Sequence, residues 1–120
     1  MTGPSSGWPR TGVHRVLGAA DEVASELAAR GWDVAVVVPA RTETELWDSL
    51  VEALRLPDWF GRNLDAVDEV LTDLVRPTAL VLAAWWRTAT AQPGRWAGLL
   101  EVLGERTTVE RPPLLVVLAD

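Results

Sequence analysis

The chain has no cysteine, no tyrosine and no lysine, and it has one histidine and one phenylalanine. Without cysteine there is no disulfide scaffold, no thiolate metal site and no cysteine nucleophile. Without lysine there is no Schiff-base chemistry, and a lone His14 cannot build a histidine metal cluster. Apolar runs never exceed a few residues, far short of a membrane span, so no membrane association is expected. No charged leader followed by an apolar stretch opens the chain, so no secretory signal is expected either. Basic charge is also scarce: 11 arginines face 17 acids, for a net charge of −6. Nucleic-acid binding asks for a basic face, so direct contact with nucleic acid is not expected. The acidic balance suits a basic partner instead. The absence of thiols suits a reducing compartment, which makes a cytoplasmic location the expectation.

What is present is enough for one folded domain. The 120 residues are 48% hydrophobic and 23% charged, a composition that packs a core rather than staying disordered. The opening residues 1–10, MTGPSSGWPR, read as a disordered Gly/Pro/Ser stub, and 11–120 as a single domain. Three runs, 34–38, 79–82 and 114–118, are apolar on consecutive residues, as strands covered on both faces are. A weaker run at 13–17 offers a fourth. Helical patterns occupy 20–30, ended by Gly31, 42–54 and 96–103. The second opens T-E-T-E, a capping-box pattern with Thr42 as N-cap and Glu45 three residues on. Alternating strands and helices predict an α/β fold with a small three- to four-stranded parallel sheet packed with helices. Five tryptophans, Trp32, Trp47, Trp85, Trp86 and Trp96, are expected in core or rim packing, with Trp85 and Trp86 at a strand end.

The informative stretch is 56–74, LPDWFGRNLDAVDEVLTDL. Leu56-Pro57 ends the preceding helix, Gly61 allows a turn, and Asn63 is a natural N-cap for a helix starting at Leu64. On that helix Leu64, Val67, Val70, Leu71 and Leu74 share an apolar face, opposite Asp65, Asp68, Glu69, Thr72 and Asp73. These nineteen residues hold five acids and one base, Arg62, so they carry −4 of the chain's −6. Asp65/Asp68, Asp65/Glu69 and Glu69/Asp73 are like-charge neighbours, which together cost the helix about 1 kcal/mol. The helix dipole favours Asp65 in the first turn but disfavours Asp73 in the last. Local helix stability therefore does not account for this face. A solvated acidic surface is one reading. The other is a contact patch, in which the Trp59-Phe60 pair supplies buried area and the acids select a basic partner.

The same stretch resembles the recognition segment of the barstar family, intracellular inhibitors of ribonucleases. The resemblance is carried by L-P-(acid)-(aromatic)-(aromatic)-G-x-N-L-D-A, then an acid two residues later, then L-T. It extends more weakly to 34–54, to 80–87 and to 114–118, about ninety residues in all; 11–31 form an extension like those of larger bacterial members. The resemblance implies a one-to-one inhibitor with no catalytic residue, no cofactor and no metal, monomeric when free. Its loop and helix would plug a ribonuclease active site, with Glu69 in the place of an RNA phosphate. Asp65 would be a second contact acid, Trp59, Phe60 and Asn63 loop contacts, Thr72 a contact near the helix end, and Asp68 part of the same patch. A further contact acid falls near Glu105. The chain departs from the family's founding pattern at Glu69 (aspartate there), Asp68 and Leu74 (tryptophans) and Trp59-Phe60 (two tyrosines). Those departures bear on which enzyme is bound. The alternative is an immunity or interaction module of this fold that binds a different basic protein or toxin. A divalent-metal site or a hydrolase built on the acids lacks a ligand loop or a cleft.

Overall fold

The computed structural model describes residues 8–9, 11–109 and 111–120. Most of the stub expected over 1–10 lies outside the described residues; Trp8 lies within them and is half-buried. The elements run β1 (Gly12–Val16), α1 (Ala20–Ala29), β2 (Asp33–Val37), α2 (Glu43–Leu54), α3 (Leu64–Thr72), β3 (Thr78–Leu82), α4 (Trp85–Ala91), α5 (Pro93–Arg106) and β4 (Leu114–Ala119). The four strands form one parallel sheet in the order β1-β4-β3-β2. Among the described residues no helix is long and apolar enough to cross a membrane.

The consecutive apolar runs at β3 and β4 are explained by their place. Both are interior strands, and every residue of each is buried. Side chains alternate between two faces along a strand, so Leu114, Val116 and Leu118 join one core, and Leu115, Val117 and Ala119 the other. The first core holds the inward residues of α2, α3 and α5, among them Leu46, Leu50, Val67, Leu71, Leu99 and Leu103. The second is covered chiefly by Val23 and Leu27 of α1, with Trp32 and part of Trp8. The edge strand β1 reads more weakly because it keeps exposed positions such as Arg15, and β2, expected to be covered on both faces, is instead the other edge strand and leaves Val36 exposed.

Two expectations change in detail. The segment 85–91 is helical where a strand end was expected. Its WWRTATA sequence has no amphipathic period, and it starts from Ala84 in the left-handed region at φ 42°. The last helix also runs from Pro93 to Arg106, longer than 96–103, with proline in its first turn where no N–H is needed. At α2 the Thr42 hydroxyl accepts from the Glu45 amide at 3.1 Å as expected. The Glu45 carboxylate, however, accepts from the Arg41 amide at 2.8 Å, one residue earlier than a capping box places it. Trp47 and Trp96 are buried, and Trp96 stacks on Trp85 with ring centroids 5.8 Å apart.

Candidate partner-binding face

The acidic helix is introduced by a short, tightly tied loop. Helix α2 ends at Arg55, left-handed at φ 53°, and the Leu56 amide returns to the Val51 carbonyl at 3.0 Å. That is a helix stop of the Schellman kind, followed by proline. The Phe60 amide then closes a turn on the Pro57 carbonyl at 3.0 Å. This turn sends two adjacent aromatic rings in opposite directions. Trp59 is 81% exposed, whereas Phe60 is 6% exposed and packs in the first core. Phe60 was expected as a partner contact and is corrected here: its ring supports the loop from beneath.

Gly61 also acts differently from expectation. The left-handed residue of the loop is Arg62, at φ 52°. Glycine at 61 leaves room instead: a Cβ there would stand 3.1 Å from Asn63 Nδ2, a tight approach, and 3.4 Å from Ala66 Cβ. That space lets the Asn63 amide work at both ends. Its Oδ1 accepts from the Ala66 amide at 2.8 Å, capping α3, and its Nδ2 donates to the Gly61 carbonyl at 3.0 Å. Arg62 donates to Asp48 of α2 at 2.7 Å, which ties the one base of the segment away from the acids.

Beyond the cap, α3 buries Val67 and Leu71 and half-buries Leu64 and Val70, and Leu74, expected on the helix but lying just past its end, is half-buried too. Its other side carries Asp65, Asp68, Glu69 and Thr72, all exposed, with Asp73 exposed at the C-cap. The Thr72 hydroxyl donates to the Asp68 carbonyl at 2.8 Å. None of these carboxylates forms an ion pair with a described residue; the described pairs are Arg30–Glu26, Arg62–Asp48 and Arg95–Glu43. Four negative charges therefore stand in water on one helix, beside an exposed indole.

Two residues that the sequence reading passed over set how α3 sits on α5. Gly98 faces Leu64, where a Cβ would stand 2.7 Å from Leu64 Cδ1. At the other end Arg106 is buried, its Nε donating to the Leu71 carbonyl at 2.8 Å and its Nη2 to the Pro112 carbonyl at 3.1 Å. Arg106 could have been suspected only as a cation in a last helical turn, a position that is usually solvated. Glu105, exposed, is its neighbour on α5.

The face lies apart from a cleft elsewhere in the fold. A cavity of about 170 Å³ lies among Asp33, Val34, Ala35, Ala53, Leu54, Arg55, Leu74 and Thr78, and no carboxylate of α3 lines it. His14 is half-buried on β1, with Nε2 2.8 Å from the Thr11 carbonyl. Among the described residues no three His, Asp or Glu side chains are grouped to hold a metal ion.

Among curated proteins none matches the chain. The family model of Barstar (barnase inhibitor) matches residues 36–119, which run from within β2 to the end of β4 and contain the whole loop and acidic helix. With 84 of 120 residues matched (119 − 36 + 1), and a parallel α/β fold that suits the match, the chain belongs to the barstar family.

Proposed function

We propose that the chain is a ribonuclease inhibitor that binds its target one-to-one and covers the active site with the 57–63 loop and α3. The observation that carries this reading is the set of unpaired carboxylates on α3 beside exposed Trp59. An enzyme that cleaves RNA lines its site with cations to hold phosphate. A carboxylate meets arginine in the same two-pronged geometry that phosphate does. Glu69, central on the exposed face, takes the phosphate's place; Asp65, one turn earlier, meets a second cation. Trp59 supplies apolar contact area at the edge of the patch. Asn63, already bound at both ends of its amide, offers its remaining N–H and a rigid turn. Thr72 borders the face near the helix end.

The protein acts by occupying a site and performs no turnover of its own. Neither the acids of α3 nor His14 forms a hydrogen-bonded base–nucleophile pair. The free form is a monomer, and the compartment is the cytoplasm, where the cell's own RNA needs protection.

The test is an RNA-cleavage assay with barnase, with and without the protein, together with affinity capture of its own partner. The expected result is stoichiometric loss of cleavage, abolished by Glu69→Ala. Capture of a basic protein without ribonuclease activity would establish the other reading, an immunity module of the same fold. RNA turnover by the protein alone, lost in Glu69→Gln, would overturn both.

A further inference from the structure

The buried arginine at the end of α5 has no place in the account so far. Arg106 is 5% exposed, and its guanidinium reaches out of its own helix in two directions. One donor meets Leu71 in the last turn of α3, where helix carbonyls lack their usual partners. Another meets Pro112 in the connection to β4. The third nitrogen, Nη1, is buried with no hydrogen-bond partner among the described residues. Among the described residues no ion pair accompanies it. Burying a guanidinium in this way is costly, and here two of its three nitrogens offset the cost by hydrogen bonding to carbonyls outside their own helix. Here they hold the C-terminal end of the helix that carries the acids.

Burial pulls the Arg106 guanidinium below its ordinary value, and the Asp68 carboxylate pushes it back up. Asp68 precedes Leu71 by one turn, on the helix that Arg106 grips.

We propose that Arg106 is the positioning residue of the recognition face, fixing the C-terminal end of α3 on α5. The consequence for binding rests on the inhibitor reading; the consequence for the helix does not.

The two are separated by measuring each. In the free protein, amide hydrogen exchange of α3 in Arg106→Met should lose protection by about tenfold or more, while β3 and β4 stay as in the wild type. Arg106→Lys keeps the charge but cannot reach both carbonyls, and serves if the methionine variant does not fold. Wild-type protection of α3 in either folded variant overturns the proposal. With barnase as the probe, Arg106→Met should raise the dissociation rate about tenfold and leave association within about twofold, since the charges of α3 are intact. An unchanged dissociation rate sinks the positioning role. If the wild-type protein does not bind barnase, the inhibitor reading fails for that enzyme, and exchange still decides Arg106.

Discussion

Gly98 and Leu64 meet across two helices so closely that a Cβ on Gly98 would stand 2.7 Å from Leu64 Cδ1 and oblige that methyl to move. Leu64 is the first residue of α3, immediately after the Asn63 cap, so this close approach sets the depth at which the acidic helix begins. Gly98→Ala sets two opposed effects against each other. Alanine gains up to about 1 kcal/mol of helix propensity, while the half-buried Leu64 must turn its methyl aside. Stability should therefore change by less than about 1 kcal/mol. Gly98→Val has more to displace, and overpacking should cost about 1–2 kcal/mol and weaken partner binding. Urea denaturation of both variants measures the difference; a valine variant as stable as wild type would mean the helices separate freely.

The adjacent rings of Trp59 and Phe60 should respond oppositely. Phe60→Ala empties a core position and should cost about 3–5 kcal/mol of stability. Trp59→Ala removes an exposed ring and should alter stability by no more than about 0.5 kcal/mol while weakening binding. Thermal unfolding together with calorimetric titration against the partner resolves the pair.

Removing the cap should cost less. Asn63→Ala leaves the Ala66 amide without its acceptor, an expected loss of about 1 kcal/mol. Asn63→Asp keeps an acceptor for that amide and adds a charge the helix dipole favours, so it should retain most of the stability. An alanine variant that melts with the wild type would show that the cap contributes nothing.

Asp65→Ala and Glu69→Ala should each weaken binding by more than about 1.4 kcal/mol, a factor of ten. Neither should unfold the domain. Both acids are exposed with no ion pair among the described residues; removing Glu69 relieves like-charge repulsion, so stability should hold or rise by a few tenths of a kcal/mol, roughly, while for Asp65 that relief is offset by the lost helix-dipole stabilisation and stability should stay about level. Binding that survives either change removes that residue from the contact set.

Association should be fast at low salt and slow steeply as salt rises. The loop and helix concentrate −4 of the −6 net charge, and ions screen such a patch over about 8–10 Å near physiological strength. Dissociation should respond less, since close contacts in a dry interface are poorly screened. Stopped-flow rates against sodium chloride measure this, and a flat association rate would place the docking face elsewhere.

The sheet and the acidic helix were legible because each depends on local pattern. Consecutive apolar residues at 114–118 require cover on both faces, and Asn63 before Leu64 requires a helix start. What could not be read depends on approach between distant segments. Nothing near Phe60 distinguishes its ring from that of Trp59; the turn on Pro57 and the core beneath decide which is buried. Arg106 reads as one more surface cation until α3 is laid beside it, 35 residues away in sequence. Helix α4 follows from the left-handed step at Ala84 and the packing of Trp85 on Trp96, neither of which leaves a period in the sequence.

The first strand and helix precede the family match, yet β4 depends on them twice. Pairing with β1 occupies the outer edge of β4, and α1 shields Leu115, Val117 and Val81 from water. A fragment cut to residues 36–119 would offer a six-residue apolar strand with an open row of backbone donors and acceptors, and a bare greasy face beside it. Such an edge templates strand addition from a neighbouring copy, so that fragment should aggregate rather than inhibit. The boundary at which this protein can be shortened is therefore set by protection against self-association, and it lies well upstream of where the likeness to its family begins.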